Sequence, residues 1–414
     1  MEGPAVSRSW SHRRLSRAGT PARRKSVPFR YGGLRRGNLP KEQNGEPVGL
    51  DPTSPLMIFE SNPSGHRLVY VGLLAEAAVR AGATVVLGLS PRVLQSEEFK
   101  IHLEVTAKRC VTEVMDGAVH LRDLWAVATV HGVEHMVLPD GDLYITEALR
   151  SWPGAPNLTT SVLVMRDPNW ELAEAPLALR PRIKAGMLKL LSLRRAIRVV
   201  YLREPGHVAR NGVIGASDPV LVPDPDAAAL GAASLRASIG LDRATFWFGV
   251  VGALSSRKNV DLVADALVAT AQRVRRPVGL ALLGPVSGDA PWSIESISAI
   301  CNKGGIGFAA ESRTMTNEGI NRSVAALDCV VVAYSSFAPN STLGKAASLG
   351  TPIIVAGPRS VRRFAKAVTG REGVELTLPN LVSEMVSAID SPKPTRRVFD
   401  AGQFENAILG TVGS

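Results

Sequence analysis

A lysine lies a few residues after the expected start of a helix in the stretch YSSFAPNSTLGKAASLG, residues 334–350. Asn340 is suited to cap this helix, and Ser341 and Thr342 offer backbone N–H and hydroxyl donors in its first turn. Lys345 follows Ser341 by four residues and Thr342 by three, so it shares their face. A cation near a helix N-terminus is unfavourable by about 0.3–1 kcal/mol unless an anion is close. The pattern therefore predicts an anion site, with a solvated surface lysine as the alternative.

A second loop, VVGALSSRKNVDL, also brings cations to a helix start. Gly252 ends an apolar strand, and Arg257 and Lys258 come directly before a helix that begins near Asn259. Backbone N–H groups and two cations at one point suit a phosphate. Two such helix starts in one domain suit a diphosphate, with Lys345 as its counter-ion. The alternative is that Arg257 and Lys258 are ordinary solvated cations.

From residue 51 onward, short apolar runs alternate with helical patterns in two consecutive series. Strand-like runs in the first series are LMIFES, ATVVLGLS, EHMVLPD, TTSVLVMRD and AIRVVYL, and those in the second are TFWFGVVGAL, VGLALLG, DCVVVAY and TPIIVAG. The runs are continuous in Val, Ile and Leu, which is typical of parallel sheets covered on both faces. The pattern predicts an α/β protein with two doubly wound, Rossmann-like domains facing across a cleft. Ligand is expected at the carboxyl ends of their strands.

The predicted segments are an Arg-rich tail at 1–51, an N-terminal acceptor domain at 52–205, a C-terminal donor domain at 206–393, and a closing helix and tail at 394–414. Residues 1–50 hold 11 Lys/Arg and 3 Asp/Glu, a net charge of +8 (11 − 3) out of the chain's +11. This tail is rich in Ser, Gly, Pro and Arg and has no apolar period, so disorder is expected. It could bind nucleic acid or acidic lipid, serve as a transit peptide, or be inert. The remaining +3 (11 − 8) argues against nucleic-acid binding by the folded part.

Composition excludes several other classes. The 414 residues are 45% hydrophobic and 21% charged, as in soluble globular proteins. No apolar run approaches the roughly 18–20 residues of a membrane span, and the N-terminus lacks the apolar segment of a secretory signal. Cys110, Cys301 and Cys329 form neither a disulfide framework nor a CxxC metal pair. The expected location is the cytoplasm, with the inner face of a membrane as an alternative.

The ordered set of motifs resembles the GT-B glycosyltransferases, specifically the large retaining family that uses nucleotide sugars (group 1, family 4-like). The resemblance covers about residues 55–395 and rests on VLVPDPDAAAL, LRASIGLDRATFWFGVVGAL, LALLGPVSG and DCVVVAYSSFAPNSTLGKAASLGTPIIVAG. It implies transfer of a hexosyl group from a nucleoside diphosphate sugar to a hydroxyl acceptor in a polysaccharide, glycolipid or small molecule. It also implies no cofactor beyond the nucleotide sugar and no metal, since fixed cations and helix starts would stabilise the leaving diphosphate.

The resemblance places Lys258 at the family's phosphate-binding lysine and adds the loop NPSGHR after the first strand. His66, Lys258 and Lys345 are the predicted catalytic residues, with a capping or surface role as the alternative for His66. The predicted donor-binding residues are Gly65, Gly252, Arg257, Lys258, Ser336, Asn340, Ser341, Thr342 and Lys345.

The signature departs from the family pattern at several positions. Two glutamates eight residues apart are usual, and Phe337 and Lys345 stand in their places; Ala253 replaces a usual arginine, and Arg166-Asp167 replace a frequent histidine. Lysine cannot accept a hydrogen bond from ribose, so either Lys345 binds the diphosphate or catalysis has been lost. Because glutamate suits the helix dipole, Lys345→Glu is expected to leave the free chain equally or slightly more stable.

Other motifs fit bland explanations. DGD (Asp140, Asp142) and DPD (Asp224, Asp226) resemble a metal-binding DxD, but both follow strands and contain Gly or Pro, so turn chemistry accounts for them. Two other function classes stay open: a non-catalytic GT-B protein that binds a sugar nucleotide or a partner, and a basic-tail protein that binds nucleic acid or acidic membrane. The sugar, the nucleotide base, the acceptor and the oligomeric state are open as well.

Overall fold

The first half of the chain forms a seven-stranded parallel sheet. Its strands are β1 (Leu56–Glu60), β2 (Val85–Leu89), β3 (Val111–Val114), β4 (His135–Leu138), β5 (Thr159–Val164), β6 (Ile197–Arg203) and β7 (Gly215–Ser217). Their order in the sheet is β3-β2-β1-β4-β5-β6-β7. β1 is an interior strand, with Ile58 paired to Leu87 on one side and Val137 on the other. All five residues of β1 are buried, as expected for a strand covered on both faces.

In the computed structural model, the described residues are 53–63, 67–151, 157–203, 214–336, 341–390, 397–400 and 402–410. The predicted tail at 1–51 lies outside them. Both sheets belong to one compact unit, residues 47–414.

Eight helices among the described residues accompany the first sheet. They are α1 (Arg67–Arg80), α2 (Pro91–Leu94), α3 (Glu97–His102), α4 (Glu104–Ala107), α5 (Leu121–Val130), α6 (Ile145–Ser151), α7 (Pro168–Glu174) and α8 (Leu179–Ser192). In α1, buried Leu68, Val71, Ala75 and Ala78 recur at helical spacing, so this face packs into the core.

The second half forms a five-stranded parallel sheet. Its strands are β8 (Phe246–Val251), β9 (Val278–Leu283), β10 (Gly307–Glu311), β11 (Cys329–Ala333) and β12 (Ile353–Ala356), in the order β10-β9-β8-β11-β12. The helices of this half are α9 (Pro225–Ser238), α10 (Val260–Ala271), α11 (Ile294–Lys303), α12 (Asn317–Ala325), α13 (Ser341–Leu349), α14 (Arg359–Thr369), α15 (Leu378–Asp390) and α16 (Gly402–Leu409). The predicted α/β class with two doubly wound parallel sheets is confirmed.

Two sets of contacts bear on where the predicted segments end. β7 pairs with β6, so the first sheet extends to Ser217 and passes the predicted boundary after residue 205. The last helix, α16, packs on the first sheet: Phe404 lies 4.9 Å from the ring of Tyr70, and the carbonyl of Ile408 accepts a hydrogen bond from Ser161.

Each sheet reverses its strand order at one point, between β1 and β4 in the first and between β8 and β11 in the second. Ligands of doubly wound sheets bind in the crevice outside the carboxyl ends of the strands at this point. In the second sheet the crevice lies between Gly252, which follows β8, and Tyr334, which follows β11. Within the described residues, no helix combines the length and apolar character needed to cross a bilayer.

Candidate functional site

A cleft of about 1130 Å³, counted with the part open to solvent, lies outside this crevice of the second sheet. Its walls come from both halves of the chain: Val69, Tyr70, Glu98 and His102 belong to the first, and Gly252, Arg257, Lys258, Tyr334, Ser341, Thr342 and Lys345 to the second. The structure therefore brings together six of the predicted donor-binding residues.

The loop after β8 is shaped by two glycines. Gly252 has a φ of 83°, which suits glycine, and its N–H donates to the carbonyl of Leu283 at 2.8 Å. Gly284 has a φ of 141°, and a Cβ there would lie 2.6 Å from the Gly252 carbonyl oxygen. A side chain at residue 284 would therefore push Gly252 away. The glycine-rich turn LALLGPVSG thus supports the loop of the first motif.

Lys258 is buried, with 4% of its surface exposed, although it ends a single 3₁₀ turn (Ser256–Lys258) between β8 and α10. Its Nζ donates to the Val251 carbonyl oxygen at 2.5 Å. Among the described residues this is its one hydrogen-bond acceptor, and no carboxylate lies within ion-pair distance. Burial, together with neighbouring Arg257, lowers the pKa of Lys258 to about 7. A buried ammonium with spare N–H groups at a cleft is a strong attractor for an anion.

Arg257 adds a second cation beside Lys258. Its guanidinium lies 4.6 Å from the centre of the Tyr334 ring, and its buried Nη1 has no hydrogen-bond partner among the described residues. The Arg257 carbonyl accepts from Ser335 N–H and from the Asn259 side chain, which also donates to the Ala333 carbonyl. Asn259 takes a left-handed conformation with φ 45° to make these contacts. The loops after β8 and β11 are therefore fixed to each other.

The start of α13 lies at the same part of the cleft. The helix begins at Ser341, as predicted, and both Ser341 and Thr342 are buried. A methyl group placed on Gly252 would lie 3.5 Å from Lys258 Nζ and 3.8 Å from Thr342 Oγ1, so the three residues converge on one point. Ser336 is exposed in the preceding loop. Gly65, His66, Phe337 and Asn340 lie outside the described residues, so their predicted roles stay predictions.

Lys345 makes contacts that sequence reasoning did not anticipate. Only 2% of its surface is exposed, so the surface alternative is wrong. Its Nζ donates to Leu221 O at 2.8 Å, Asn317 Oδ1 at 2.5 Å and Asn321 Oδ1 at 2.8 Å. These neutral oxygens use all three N–H bonds of the ammonium. Burial lowers the pKa of Lys345 to about 7, while Glu318 and Asp218 act in the opposite direction. A contact with the diphosphate stays a prediction and would require Lys345 to give up an acceptor.

The three acceptors hold in place residues 218–221, the segment that connects the two sheets. Both Asn317 and Asn321 also donate through Nδ2 to Leu221 O at 2.9 Å. On the other side of the same connection, Tyr70 of α1 donates to Asp218 at 2.7 Å. Burial raises the pKa of Asp218 to about 7, against the lowering by Tyr70 and Lys345. Lys345 therefore belongs to a buried network that holds residues 218–221 between the two halves.

The acidic motifs take structural roles. Asp140 pairs with Arg67 at 2.8 Å, and Asp142 pairs with Lys184 at 3.1 Å. Asp224 caps α9 by accepting from the Ala227 N–H. Asp167, at the position of the family's histidine, is buried, caps α7 and pairs with Arg203. Neighbouring Arg166 is exposed.

The four polar residues of the network around Lys345 escaped sequence reasoning. Tyr70, Asp218, Asn317 and Asn321 are polar groups whose partners lie on other elements, and a local motif gives no sign of them. The contact of Tyr334 with Arg257 likewise joins two elements that are far apart in sequence.

Comparison with solved structures gives the architecture its name. The chain superposes on Anabaena HepE in complex with UDP and glucose, with a TM-score of 0.59 and 14% identity over 86% of this chain and 93% of that chain. It also resembles sucrose-phosphate synthase from Thermosynechococcus elongatus (TM-score 0.54, 13% identity, 86% and 92% covered) and WaaG, a glycosyltransferase of lipopolysaccharide biosynthesis (0.52, 12%, 85% and 93%). The chain has the GT-B fold. No protein-family model matches the sequence, and no curated protein does.

A substitution at Gly252 tests whether the convergence point is a binding site. Gly252→Ala should lower the free energy of unfolding by about 1–2 kcal/mol, because an L-residue is strained at positive φ. It should also raise the Kd for UDP-glucose, because the new methyl contacts Lys258 Nζ. Gly240→Ala is the matched control, since Gly240 has φ 76° and open space around its Cβ. Urea unfolding and calorimetric titration measure the two effects. Equal Kd values for the two variants would place the donor elsewhere.

Proposed function

We propose that this GT-B chain is a glycosyltransferase that moves a hexosyl group from a nucleoside diphosphate sugar to a hydroxyl acceptor, with retention and without a metal ion. The observation that carries the proposal is Lys258: a buried ammonium at the crevice of the second sheet that has one acceptor, a neutral carbonyl, among the residues the structure describes. Arg257, whose Nη1 has no hydrogen-bond partner within the same residues, adds charge at the same place. Two fixed cations and the start of α13 suit the two phosphates of a nucleotide sugar.

The same groups would supply the catalysis. Negative charge builds up on the leaving diphosphate as the sugar–oxygen bond breaks, and preorganised cations stabilise that charge without reorganising. Lys258 and Arg257 hold the phosphates, and the N–H groups of Ser341 and Thr342 complete the cradle. In the proposed reaction the acceptor oxygen bonds to the anomeric carbon on the face that the diphosphate leaves, and the leaving diphosphate takes the acceptor proton, so no separate base is needed in the cleft. The nucleotide sugar is the co-substrate, and no cofactor is required.

The donor nucleotide is proposed to be UDP. Anabaena HepE, whose fold this chain shares, is bound to UDP and glucose in its crystal, and to UDP-glucose in another. A thermal-shift panel of UDP-, GDP-, ADP- and TDP-sugars tests this choice. A donor at 100 times its Kd should stabilise the folded state by about 2.7 kcal/mol. No shift with any sugar nucleotide would refute the proposal.

A non-catalytic sugar-nucleotide-binding protein is the second candidate, favoured by the contacts of Lys345. Where a glutamate is usual in the family, this lysine is bound to three neutral oxygens. Both candidates predict binding of the donor, so binding does not separate them. Release of UDP from UDP-glucose, followed over time with wild type and Lys258→Met, does. Turnover that is lost in the variant supports the enzyme, and binding without turnover supports the second candidate.

A further inference from the structure

Helix α8 carries a row of apolar side chains on its solvent-facing side. Four large apolar side chains are exposed on one face: Leu179 (70%), Ile183 (52%), Leu190 (58%) and Leu193 (74%). Gly186 lies on the same face between Ile183 and Leu190. On the opposite side, Leu188 and Leu191 are fully buried against the first sheet. A single exposed leucine is ordinary, but four large apolar side chains on one helix face indicate an interaction surface.

The row is flanked by positive charge. Residues 179–195 contain six Lys/Arg and no Asp/Glu. Lys184 and Arg194 turn back to the protein, where they bond to Asp142 and to the Leu149 carbonyl. The other four cations, Arg180, Arg182, Lys189 and Arg195, are exposed beside the row. We call the four apolar side chains and these four cations the α8 face.

We propose that the α8 face lies in the headgroup region of an anionic phospholipid bilayer. Apolar side chains on one side of a helix, bordered by Lys and Arg, suit a surface that is apolar inside and anionic outside. A 14-residue helix is too short to span a bilayer, so it would lie in the plane of the interface. The α8 face would therefore anchor the protein peripherally.

Two other occupants fit the charges less well. A second copy of the chain, related by a two-fold axis, would bring the four cations of one α8 face against the same four of the other. The chain's own N-terminal segment 1–50 carries a net charge of +8, of the same sign as the face. Like charges oppose both arrangements, whereas anionic lipid complements the face.

The position of α8 also suggests the class of acceptor, a step that rests on the proposed function. Lys184 ties α8 to the loops after β4 and β5, through Asp142 at 3.1 Å and the Arg166 carbonyl at 2.6 Å. These loops lie at the carboxyl end of the first sheet. The proposed function places the acceptor at this edge. A membrane at the α8 face would bring that edge close to lipid headgroups. The acceptor is then a hydroxyl carried by a membrane lipid.

Vesicle sedimentation with the full chain tests the anchor. Wild type should bind phosphatidylcholine vesicles that contain phosphatidylglycerol, bind pure phosphatidylcholine weakly, and lose affinity as salt rises. Ile183→Gln with Leu190→Gln should reduce binding about tenfold, as should Arg182→Gln with Lys189→Gln. Val130→Gln with Leu230→Gln, which are 82% and 77% exposed elsewhere, is the control and should bind like wild type. All variants should keep the wild-type thermal shift with UDP-glucose, which separates this test from that of the proposed function.

Three results would overturn the anchor. Wild type that binds no anionic vesicle removes it outright. Equal binding by wild type and both α8 variants would assign the membrane contact to another part of the chain. A concentration-dependent dimer that Ile183→Gln with Leu190→Gln dissociates, seen by light scattering, would make the α8 face a contact between copies. If Ile183→Gln with Leu190→Gln changes the free energy of unfolding, vesicle binding by Arg182→Gln with Lys189→Gln decides the test.

Discussion

Lys258→Met should raise the Kd for UDP-glucose at least tenfold and leave the free chain as stable as wild type or more stable. The loss of affinity follows because contacts to charged groups contribute about 1.5–3 kcal/mol, and 1.4 kcal/mol is a factor of ten. The stability follows because Lys258 is buried with one neutral acceptor among the described residues, so the folded state gains little from its charge. Calorimetric titration and urea unfolding give the two quantities. Lys303→Met, an exposed lysine at the end of α11, is the matched control.

The same lysine predicts a pH dependence. With a pKa of about 7 in the free chain, Lys258 loses its proton as pH rises, and only the ammonium binds phosphate well. The Kd for UDP-glucose should therefore increase from pH 6.5 to pH 9, up to about tenfold per unit. Both phosphates of UDP-glucose are esterified, so the diphosphate keeps its charge in this range.

The free energy of unfolding should rise with pH, so the chain becomes more stable while its affinity for UDP-glucose falls. The unfolded chain keeps the lysine protonated up to its ordinary pKa of 10.5, whereas the folded chain releases the proton above about 7. The unfolded state thus binds more protons between these values, and the free energy of unfolding rises with pH there. Lys258→Met should remove this lysine's share of both slopes. Lys345 has the same lowered pKa of about 7 and adds a rising slope of its own, and Asp218 and Glu60 also titrate near 7, so slopes that survive in Lys258→Met belong to those groups.

The alternation of apolar runs and helices was enough to predict both sheets, because central parallel strands are buried on both faces and read as continuous Val, Ile and Leu. Of the four edge strands, β12 gave this signal as TPIIVAG, whereas β3, β7 and β10 escaped it. β3 (Val111–Val114) is mostly exposed and reads VTEV, and β10 reads GFAAE with one fully buried residue. An edge strand has only one strand neighbour and a partly solvated face, so its sequence need not be apolar throughout. Edge strands are therefore the elements that periodicity finds last.

The candidate site also has a part that the sequence could predict and a part that it could not. Lys258 was predicted from a strand, a glycine, a loop and a helix that are contiguous in sequence, and the structure places it in the cleft beside Gly252. The surroundings of Lys345 could not be predicted, because its acceptors lie on α12 and on Leu221, between 24 and 124 residues away. A rule about helix termini describes only the helix that carries the lysine. Its charge is met by tertiary neighbours that no local pattern specifies.

Lys345→Glu should strongly destabilise the folded chain. From the sequence alone it was expected to be harmless, and the neighbours of Lys345 change that expectation. A carboxylate at residue 345 would face three acceptor oxygens and come close to Asp218 and Glu318, whose charges already act on the lysine. The two asparagines cannot turn their amide donors toward it without releasing the Leu221 carbonyl. The free energy of unfolding should fall by about 3–5 kcal/mol, as for other buried charges that lose their partners. The gain from the helix dipole, about 0.3–1 kcal/mol, is too small to offset this.

A series at residue 345 separates fastening of the connection from contact with the diphosphate. Lys345→Gln keeps two N–H donors and should be the least destabilising change, followed by Lys345→Met and then Lys345→Glu, as measured by urea unfolding; Lys303→Glu controls for an exposed change of the same charge.

Binding of UDP-glucose gives the second measurement. If Lys345 only holds residues 218–221 in place, folded Lys345→Gln should bind UDP-glucose within about threefold of wild type, because an amide and an ammonium can donate to the same oxygens. A tenfold loss that matches Lys258→Met, with unfolding unchanged, would instead put Lys345 on the diphosphate. A Lys345→Glu chain as stable as wild type would contradict the buried network itself.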